Sequence, residues 1–287
     1  MLLWAVLLSL VAGQAWASPV VVLAQPQVPQ YAQVLAGVHA VRGGDEVVDL
    51  ADEAAVARAF ESKPALVIAV GSKAYELAQE KTAGAVVIAT AVLGADAKGR
   101  KDVTAVPLSP RGLDAVSAIQ ALAPSVRQVA AFYPASYPAP LLTQARYAAR
   151  ASGLQVDFLP VADPESFEGD FVAALAGHQA VWLLTDARLA TPARVAFMVQ
   201  HALEKKVLLV GFLSGMAQAG AAAAVSADYK AIGQEAGRFA SELLALPPSA
   251  RESAPFHFAR GALWVNATTL QALKLGGALP TGAQVLR

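Results

Sequence analysis

Residues 180–229, AVWLLTDARLATPARVAFMVQHALEKKVLLVGFLSGMAQAGAAAAVSADY, limit the fold more than any other stretch of the chain. Val181 to Leu184 is an apolar run that stops at Thr185-Asp186. Thr191-Pro192 then supplies an N-cap followed by proline at the first helical position, where a missing N–H loses no hydrogen bond. Val195, Met198, Val199 and Ala202 recur at three- and four-residue spacing, the mark of one buried helix face. Lys205-Lys206 sits where the helix dipole favours cations, and Val207 to Val210 is a second apolar run. Strand, helix and strand in this order imply a right-handed crossover and therefore a parallel sheet. In such sheets ligands settle outside the carboxyl ends of the strands, which puts Asp186 and the Ser214-Gly215 loop on one rim of a candidate site.

The same alternation runs through the rest of the chain. Strands are expected at Val20 to Ala24, Val47 to Leu50, Leu66 to Val70, Ala85 to Ala89 and Val103 to Pro107, with helices at Gln30 to Val41, Glu53 to Glu61 and Tyr75 to Lys81 between the first four. After Ser109-Pro110 the cycle restarts: helices at Leu113 to Leu122, Leu141 to Ala151 and Phe167 to Leu175 separate strands at Val129 to Tyr133 and Gln155 to Pro160. A single sheet holding all these strands would be unusually wide, so two similar α/β lobes are expected. A long helix, Lys230 to Leu246, ends at Pro247-Pro248. Phe256 to Phe258, Leu263 to Val265 and Thr268 to Lys274 form a closing pattern before the Gly276-Gly277 turn, and the Ala-rich run from Ala217 to Val225 reads as a tight packing surface.

The opening residues read as a leader. Leu2 to Gly13 is too short an apolar stretch to span a bilayer, and Ala15-Trp16-Ala17 before Ser18 has the small-x-small form of a cleavage site. No Lys or Arg precedes it, so an uncleaved anchor is the alternative. With 56% hydrophobic residues over 287 positions there is ample material for two cores. Zero cysteines excludes a disulfide scaffold, thiolate metal sites, a catalytic thiol and a lipid-modified cysteine after the leader. Twenty-two basic and 22 acidic residues leave no electrostatic footprint for nucleic acid. The four histidines lack metal-ligand spacing, and Gly211-Phe-Leu-Ser214-Gly215 lacks the glycine two before serine that a nucleophile elbow needs. Neither an enzyme nor a cofactor is indicated.

Several ordered segments resemble the type I periplasmic solute-binding proteins of ABC importers. Pro64-Ala-Leu-Val-Ile-Ala-Val-Gly71-Ser72 is similar to that family's P-D-L-I-V-A-x-G-T, and Leu122-Ala-Pro124 and Leu184-Thr-Asp186 match at their places. Gly220 to Tyr229 with Gly233 resembles G-A-x-A-x-x-x-x-D-Y-x-x-x-G, and Val265-Asn266 with Leu275 to Pro280 resembles the closing N-x-x-x-A-x-x-L-G-x-x-L-P. The resemblance implies two Rossmann-like lobes joined by a three-crossover hinge: leader 1–17, lobe 1 over 18–108, lobe 2 over 109–225, a return to lobe 1 over 226–252 and to lobe 2 over 253–287. It also implies a periplasmic, unlipidated monomer that captures an amino-acid-like small molecule and delivers it to an inner-membrane ABC permease. A sensor or accessory protein of an envelope complex on the same fold is the alternative reading.

Candidate ligand residues lie in loops at strand ends. Ser72 matches a family position where a hydroxyl and helix-start amides hold an anion, and the same residue fits as an N-cap. Asp186 matches a strand-end aspartate that can pair with a ligand ammonium or hydroxyl, or simply order its turn. Tyr133, Ser136 and Tyr137 follow a second-lobe strand, where rings and hydroxyls can cover an apolar group. Ser214 lies in the loop after Val210 to Phe212, and Tyr229 is a marginal member at the crossover. The chain departs from the family at Gln25-Pro-Gln-Val-Pro-Gln30-Tyr31, at Ala91-Val-Leu-Gly-Ala-Asp96, where an Asp-Pro is common, and at Lys73. If Lys73 faces the cleft it favours an anionic ligand; along the helix it reaches solvent. Ligand identity is expected to be decided on the wall around Gln25 and Ser72.

Overall fold

Strands that read as unbroken apolar runs do so because both of their faces are covered. The computed structural model describes residues 20–82, 84–93, 101–251 and 255–287. The leader expected at 1–17 lies outside the described residues, as does the second half of the 91–96 loop. The first sheet contains β1 (Val20–Ala24), β2 (Glu46–Asp49), β3 (Leu66–Val70), β4 (Val86–Thr90) and β5 (Val103–Val106). Its order is β2-β1-β3-β4-β5, with every pair parallel. All residues of β1, β3, β4 and β5 are buried, as expected of a parallel sheet with helices on both sides.

Alternate side chains sort onto the two faces. Val20, Val22, Ile68 and Ile88 meet Val34 and Val38 of α1 (Pro29–Val41) and Ile232 and Phe239 of α9 (Tyr229–Ala245). Val21, Leu23, Val67 and Val87 meet Val56 of α2 (Glu53–Glu61) and Ala74 and Ala78 of α3 (Ser72–Lys81). Helix α9 therefore belongs to the first lobe although it follows a strand of the second. Glycines fasten it there: a Cβ on Gly37 or Gly233 would overlap backbone of the facing helix.

The second sheet repeats the plan. It contains β6 (Gln128–Pro134), β7 (Gln155–Val161), β8 (Ala180–Leu183), β9 (Leu208–Gly211), β10 (Ala223–Ser226), β11 (Ala262–Asn266) and β12 (Gln284–Leu286), in the order β12-β11-β10-β9-β8-β6-β7. From β7 to β10 it is parallel with the connectivity of the first sheet; β11 is antiparallel to β10 and β12 parallel to β11. One face carries α4 (Gly112–Leu122) and α5 (Ala139–Ser152), the other α6 (Phe167–Leu175) and α7 (Pro192–Glu204), with Phe132, Phe167 and Phe171 clustered beneath the latter pair. The short α8 (Ser214–Gln218) follows β9, and α10 (Ala267–Leu273) follows β11. Side-chain oxygens cap three of the helices: Asp52 accepts from Ala55 N, Asp228 from Ala231 N and Asn266 from Thr269 N, each at 2.9 Å.

Several elements differ from the sequence-based expectation. The Ala-rich run contains β10, a fully buried strand held between β9 and β11, so tertiary pairing overrides the weak strand preference of alanine. The helix α8 and the three-residue edge strand β12 were also not expected from periodicity. The stretch expected to have rejoined the second lobe from 253 instead runs along β5 as far as Ala259: His257 N donates to Ala105 O at 2.9 Å, Thr104 Oγ1 donates to Pro255 O at 2.9 Å, and Ala259 sits in the first lobe's core. Hydrogen-bonding to a free sheet edge leaves no periodic signal of its own.

The α1–α9 contact predicts opposite outcomes for two glycine substitutions. Gly233→Ala should lower unfolding free energy by about 1–3 kcal/mol, because backbone, not a flexible side chain, blocks the new methyl. Gly169→Ala in α6, where a Cβ meets nothing within 4 Å, should raise it by about 0.5 kcal/mol. Denaturant unfolding of both variants checks the pair.

Candidate functional site

Each sheet has a switch point where chain order reverses, between β1 and β3 in the first and between β6 and β8 in the second. Connections from the two strands at such a point leave toward opposite faces and open a crevice at the carboxyl edge. The first crevice is bordered by Gln25, just after β1, and by Gly71-Ser72, just after β3. The second is bordered by the loop from Tyr133 to Tyr137 and by Thr185-Asp186.

On the first lobe, Gly71 caps α3 with φ 86°, a left-handed conformation. Tyr31 of α1 lies where a Cβ on Gly71 would be, so sterics and backbone both require glycine here. Ser72 is the first helical residue and not the N-cap; it is exposed, and no side chain caps this helix. The first-turn amides of α3 therefore end at the crevice without intrahelical partners. Lys73 beside them is exposed. Tyr229, the first residue of α9, is half-buried against the same core cluster as Tyr31. Burial pushes its phenol above the ordinary value, and the neighbouring Tyr31 adds to the effect. Gln25, Ser72, Lys73 and Tyr229 thus belong to one wall, together with Tyr31, for which the sequence offered no local signal.

The second wall is more tightly committed. Tyr137 is buried; its phenol lies 2.8 Å from Ser109 Oγ. Burial raises its pKa, opposed by the hydroxyls of Ser109 and Thr185. Tyr133 is half-buried, edge-on to Tyr137 and to Phe158 at centroid distances of 6.4 and 6.5 Å. Ser136 is exposed in the turn before α5. Asp186 is only 4% exposed, and its carboxylate is engaged by Arg188: Nη2 donates to Oδ2 at 2.8 Å, Nε to Oδ1 at 3.0 Å, and the Arg188 amide to Oδ1 at 3.0 Å. The geometry gives Asp186 the work of ordering the turn after β8. Ser214, half-buried, opens α8 next to Leu213, which is 44% exposed. A partly open space of about 20 Å³ among Ser109, Tyr137, Gln144, Trp182, Thr185 and Phe212 has room for roughly one water.

The passages between the lobes meet behind these walls. The first runs from β5 through Ser109 and Arg111 to α4, the second from β10 through Asp228 to α9, and the third from Ala259 through Gly261 to β11. Asp114 of α4 accepts from Gly261 N at 2.8 Å and from Arg111 Nη2 at 2.7 Å. Glu235 of α9 attracts Arg111 as well and receives Arg238 Nη2 at 2.6 Å and His257 Nδ1 at 3.2 Å. Burial would raise the Glu235 pKa, but hydrogen bonds from Arg238 and His257 hold it below the ordinary carboxylate value. His257 also stacks on Phe239 with centroids 3.7 Å apart. His178 and His201 bond the carbonyls of Ala174 and Phe197, and no group of three His, Cys, Asp or Glu side chains among the described residues is placed to hold a metal.

Two largely parallel-sheet lobes with this strand order, joined by three crossings of the chain, define the fold of type I periplasmic binding proteins. The chain belongs to the ABC transporter substrate binding protein family, whose profile matches residues 42–276. Among solved structures, the ABC domain in complex with L-Trp from Streptococcus pneumonia is 19% identical, with a TM-score of 0.55 over 94% of this chain and 99% of that one. The open, ligand-free form of CD0873, a substrate binding protein with adhesive properties from Clostridium difficile, is 15% identical with a TM-score of 0.64 over 94% and 99%. A conserved domain protein from Vibrio cholerae is 17% identical with a TM-score of 0.54 over 94% and 100%. No curated protein matches the sequence. Among the described residues, no helix is long and apolar enough to cross a membrane.

The Tyr137 network predicts an alkaline limb of stability. The folded state keeps a proton that the unfolded chain releases near the ordinary value of 10.0, so this contribution is complete below that value and lost as pH climbs past it. Tyr137→Phe should cost about 1 kcal/mol near neutrality, through the lost hydrogen bond to Ser109, and should fall off less steeply above about pH 10. Denaturant midpoints measured across the alkaline range check both effects.

Proposed function

We propose that the protein is the periplasmic solute-binding component of an ABC importer. After export, and without a lipid anchor, it works as a monomer that captures a small amino-acid-like organic molecule between its lobes and offers the closed form to an inner-membrane permease. The observation that carries this reading is the pairing of two switch-point crevices, one per lobe, within a chain of the substrate-binding family. A relative of the same fold holds L-Trp, which supports an amino-acid-like ligand.

The walls divide the work by chemistry. At the start of α3, unpaired amides and the Ser72 hydroxyl suit the anionic end of a ligand, and Lys73 adds positive potential nearby. Tyr31, Tyr229 and Tyr133 offer partly exposed rings to an apolar body, with Gln25 as an amide contact at the edge. Ser136 and Ser214 flank the opposite rim. Tyr137 and Asp186 act one step back: the first ties the Ser109 crossing to the second lobe, and the second fixes the turn that carries Thr185. Capture consists of hinge closure with no covalent chemistry. A ligand that touches both walls favours the closed population by the contacts it makes only there, and a permease that reads lobe separation then distinguishes loaded from empty protein.

Thermal unfolding of the chain against a panel of amino acids, small organic acids and sugars tests this reading. A true solute at a hundred times its dissociation constant adds about 2.7 kcal/mol of stability. At least one member should raise the midpoint, and Ser72→Glu should abolish that rise for an anionic solute. A panel without effect at millimolar concentration would contradict the assignment.

A further inference from the structure

Leu93 belongs to the first lobe's chain, three residues beyond the end of β4, yet it packs against the buried cluster of the second lobe. Every buried member of that cluster comes from residues 115–273, and those at its carboxyl edge include Tyr137, Leu184 and Val225. Phe256 and Phe258 also reach this cluster, but they lie on the third crossing and are held there by the backbone. Among the apolar clusters of the described residues, Leu93 is the first-lobe side chain outside the crossings that touches the second lobe's core.

The backbone before it is specially shaped. Ala91 has φ 57°, the left-handed region that disfavours any residue with a Cβ, and it is buried. Its amide donates to Val106 O at 3.1 Å, and the Val92 carbonyl accepts from Leu108 N at 2.7 Å, so the turned segment is clamped to the start of the first crossing. A buried left-handed alanine, fixed on both sides by hydrogen bonds, redirects the chain from the sheet toward the other lobe. Strain of this kind persists only where surrounding structure imposes it.

We propose that Leu93 is a positioning residue of the cleft: seated on the second lobe's core beside the pivot, it sets the separation of the two walls in the ligand-free protein. The contact is apolar, so removal from water favours keeping the walls together at the cleft floor. It lies next to the first crossing, so a small change in separation there becomes a larger one at the mouth. The inference rests on the solute-binding reading only for its consequence: affinity for a solute scales with the population of the competent arrangement, so Leu93 tunes affinity without having to touch the solute.

The chain has no cysteine, so two introduced thiols can be spin-labelled cleanly. Glu76→Cys on α3 and Gln218→Cys at the end of α8 are both exposed and lie on opposite lobes. Double electron–electron resonance on the full chain without any solute should give a narrower distance distribution with Leu93 than with Leu93→Ala. The alanine variant should add a population at longer distance while its near-ultraviolet circular dichroism stays native. Ala91→Gly, which keeps the leucine and both backbone hydrogen bonds while removing the Cβ penalty at φ 57°, should leave the distribution as narrow as in the parent chain. Superimposable distributions for the parent chain and Leu93→Ala would overturn the proposal, and so would a shift of Leu93→Ala to shorter distances alone, which would make the residue a prop. If Leu93→Ala does not fold, Leu93→Val carries the same test with a smaller expected shift. Because no solute is present, a protein that binds nothing in the thermal panel can still pass. Conversely, a protein that binds a solute but shows no Leu93 effect refutes this inference alone.

Discussion

At Gly261 the three passages of chain between the lobes come within contact of one another. A Cβ on this residue would lie 2.6 Å from Val225 Cγ1, 2.7 Å from Pro110 Cβ and 3.2 Å from the Ser226 carbonyl oxygen. Pro110 is on the first passage, Ser226 begins the second, and Gly261 is on the third. Its amide is held by Asp114, which also holds Arg111, so one carboxylate ties two passages together. The passages between the lobes consequently converge at one compact point, the natural pivot for any hinge motion between them. The placement of both walls depends on this convergence, because the candidate residues of each lobe come from loops that have no other covalent route to one another.

Given the pivot, the two sheets supply the walls by the same rule. Each reverses chain order once, and each reversal leaves a crevice at the carboxyl edge. The walls are unequal, however. On the second, the polar groups of Tyr137 and Asp186 are satisfied within the protein, and the space beside Tyr137 is water-sized. On the first, Ser72 is exposed at an uncapped helix start flanked by Tyr31 and Tyr229. On the proposed solute-binding reading, polar discrimination falls mainly to the first wall, and the second contributes shape and aromatic surface.

Much of this architecture was legible in the sequence because parallel strands buried on both faces leave continuous apolar runs, and capped helices between them leave Asp, Thr-Pro and Asn signals. Leu66–Val70, Glu53–Glu61 after Asp52 and Pro192–Glu204 after Thr191 show these signals directly. What escaped was set by tertiary pairing: β10 is made of alanine, valine and serine and is a strand because β9 and β11 flank it, and Pro255–Ala259 is extended because β5 offers an edge. The candidate site was legible as loops, not as roles. Strand ends pointed to Gln25, Ser72, Tyr133 and Asp186 as loop positions, and each follows or ends a strand in the structure. That Asp186 already holds Arg188 was written two residues along the chain, yet such spacing does not say whether the side chains fold together. Tyr31 over Gly71 and Leu93 on the opposite lobe depend on contacts between distant segments, for which a single sequence carries no pattern.

The central claim is that a solute closes two lobes about the Gly261 pivot. Small-angle X-ray scattering of the full chain, with and without a solute that stabilises it, measures this directly. The account predicts a smaller radius of gyration and a more compact distance distribution in the presence of that solute. A solute that binds and stabilises the protein while leaving the scattering curve unchanged would contradict it.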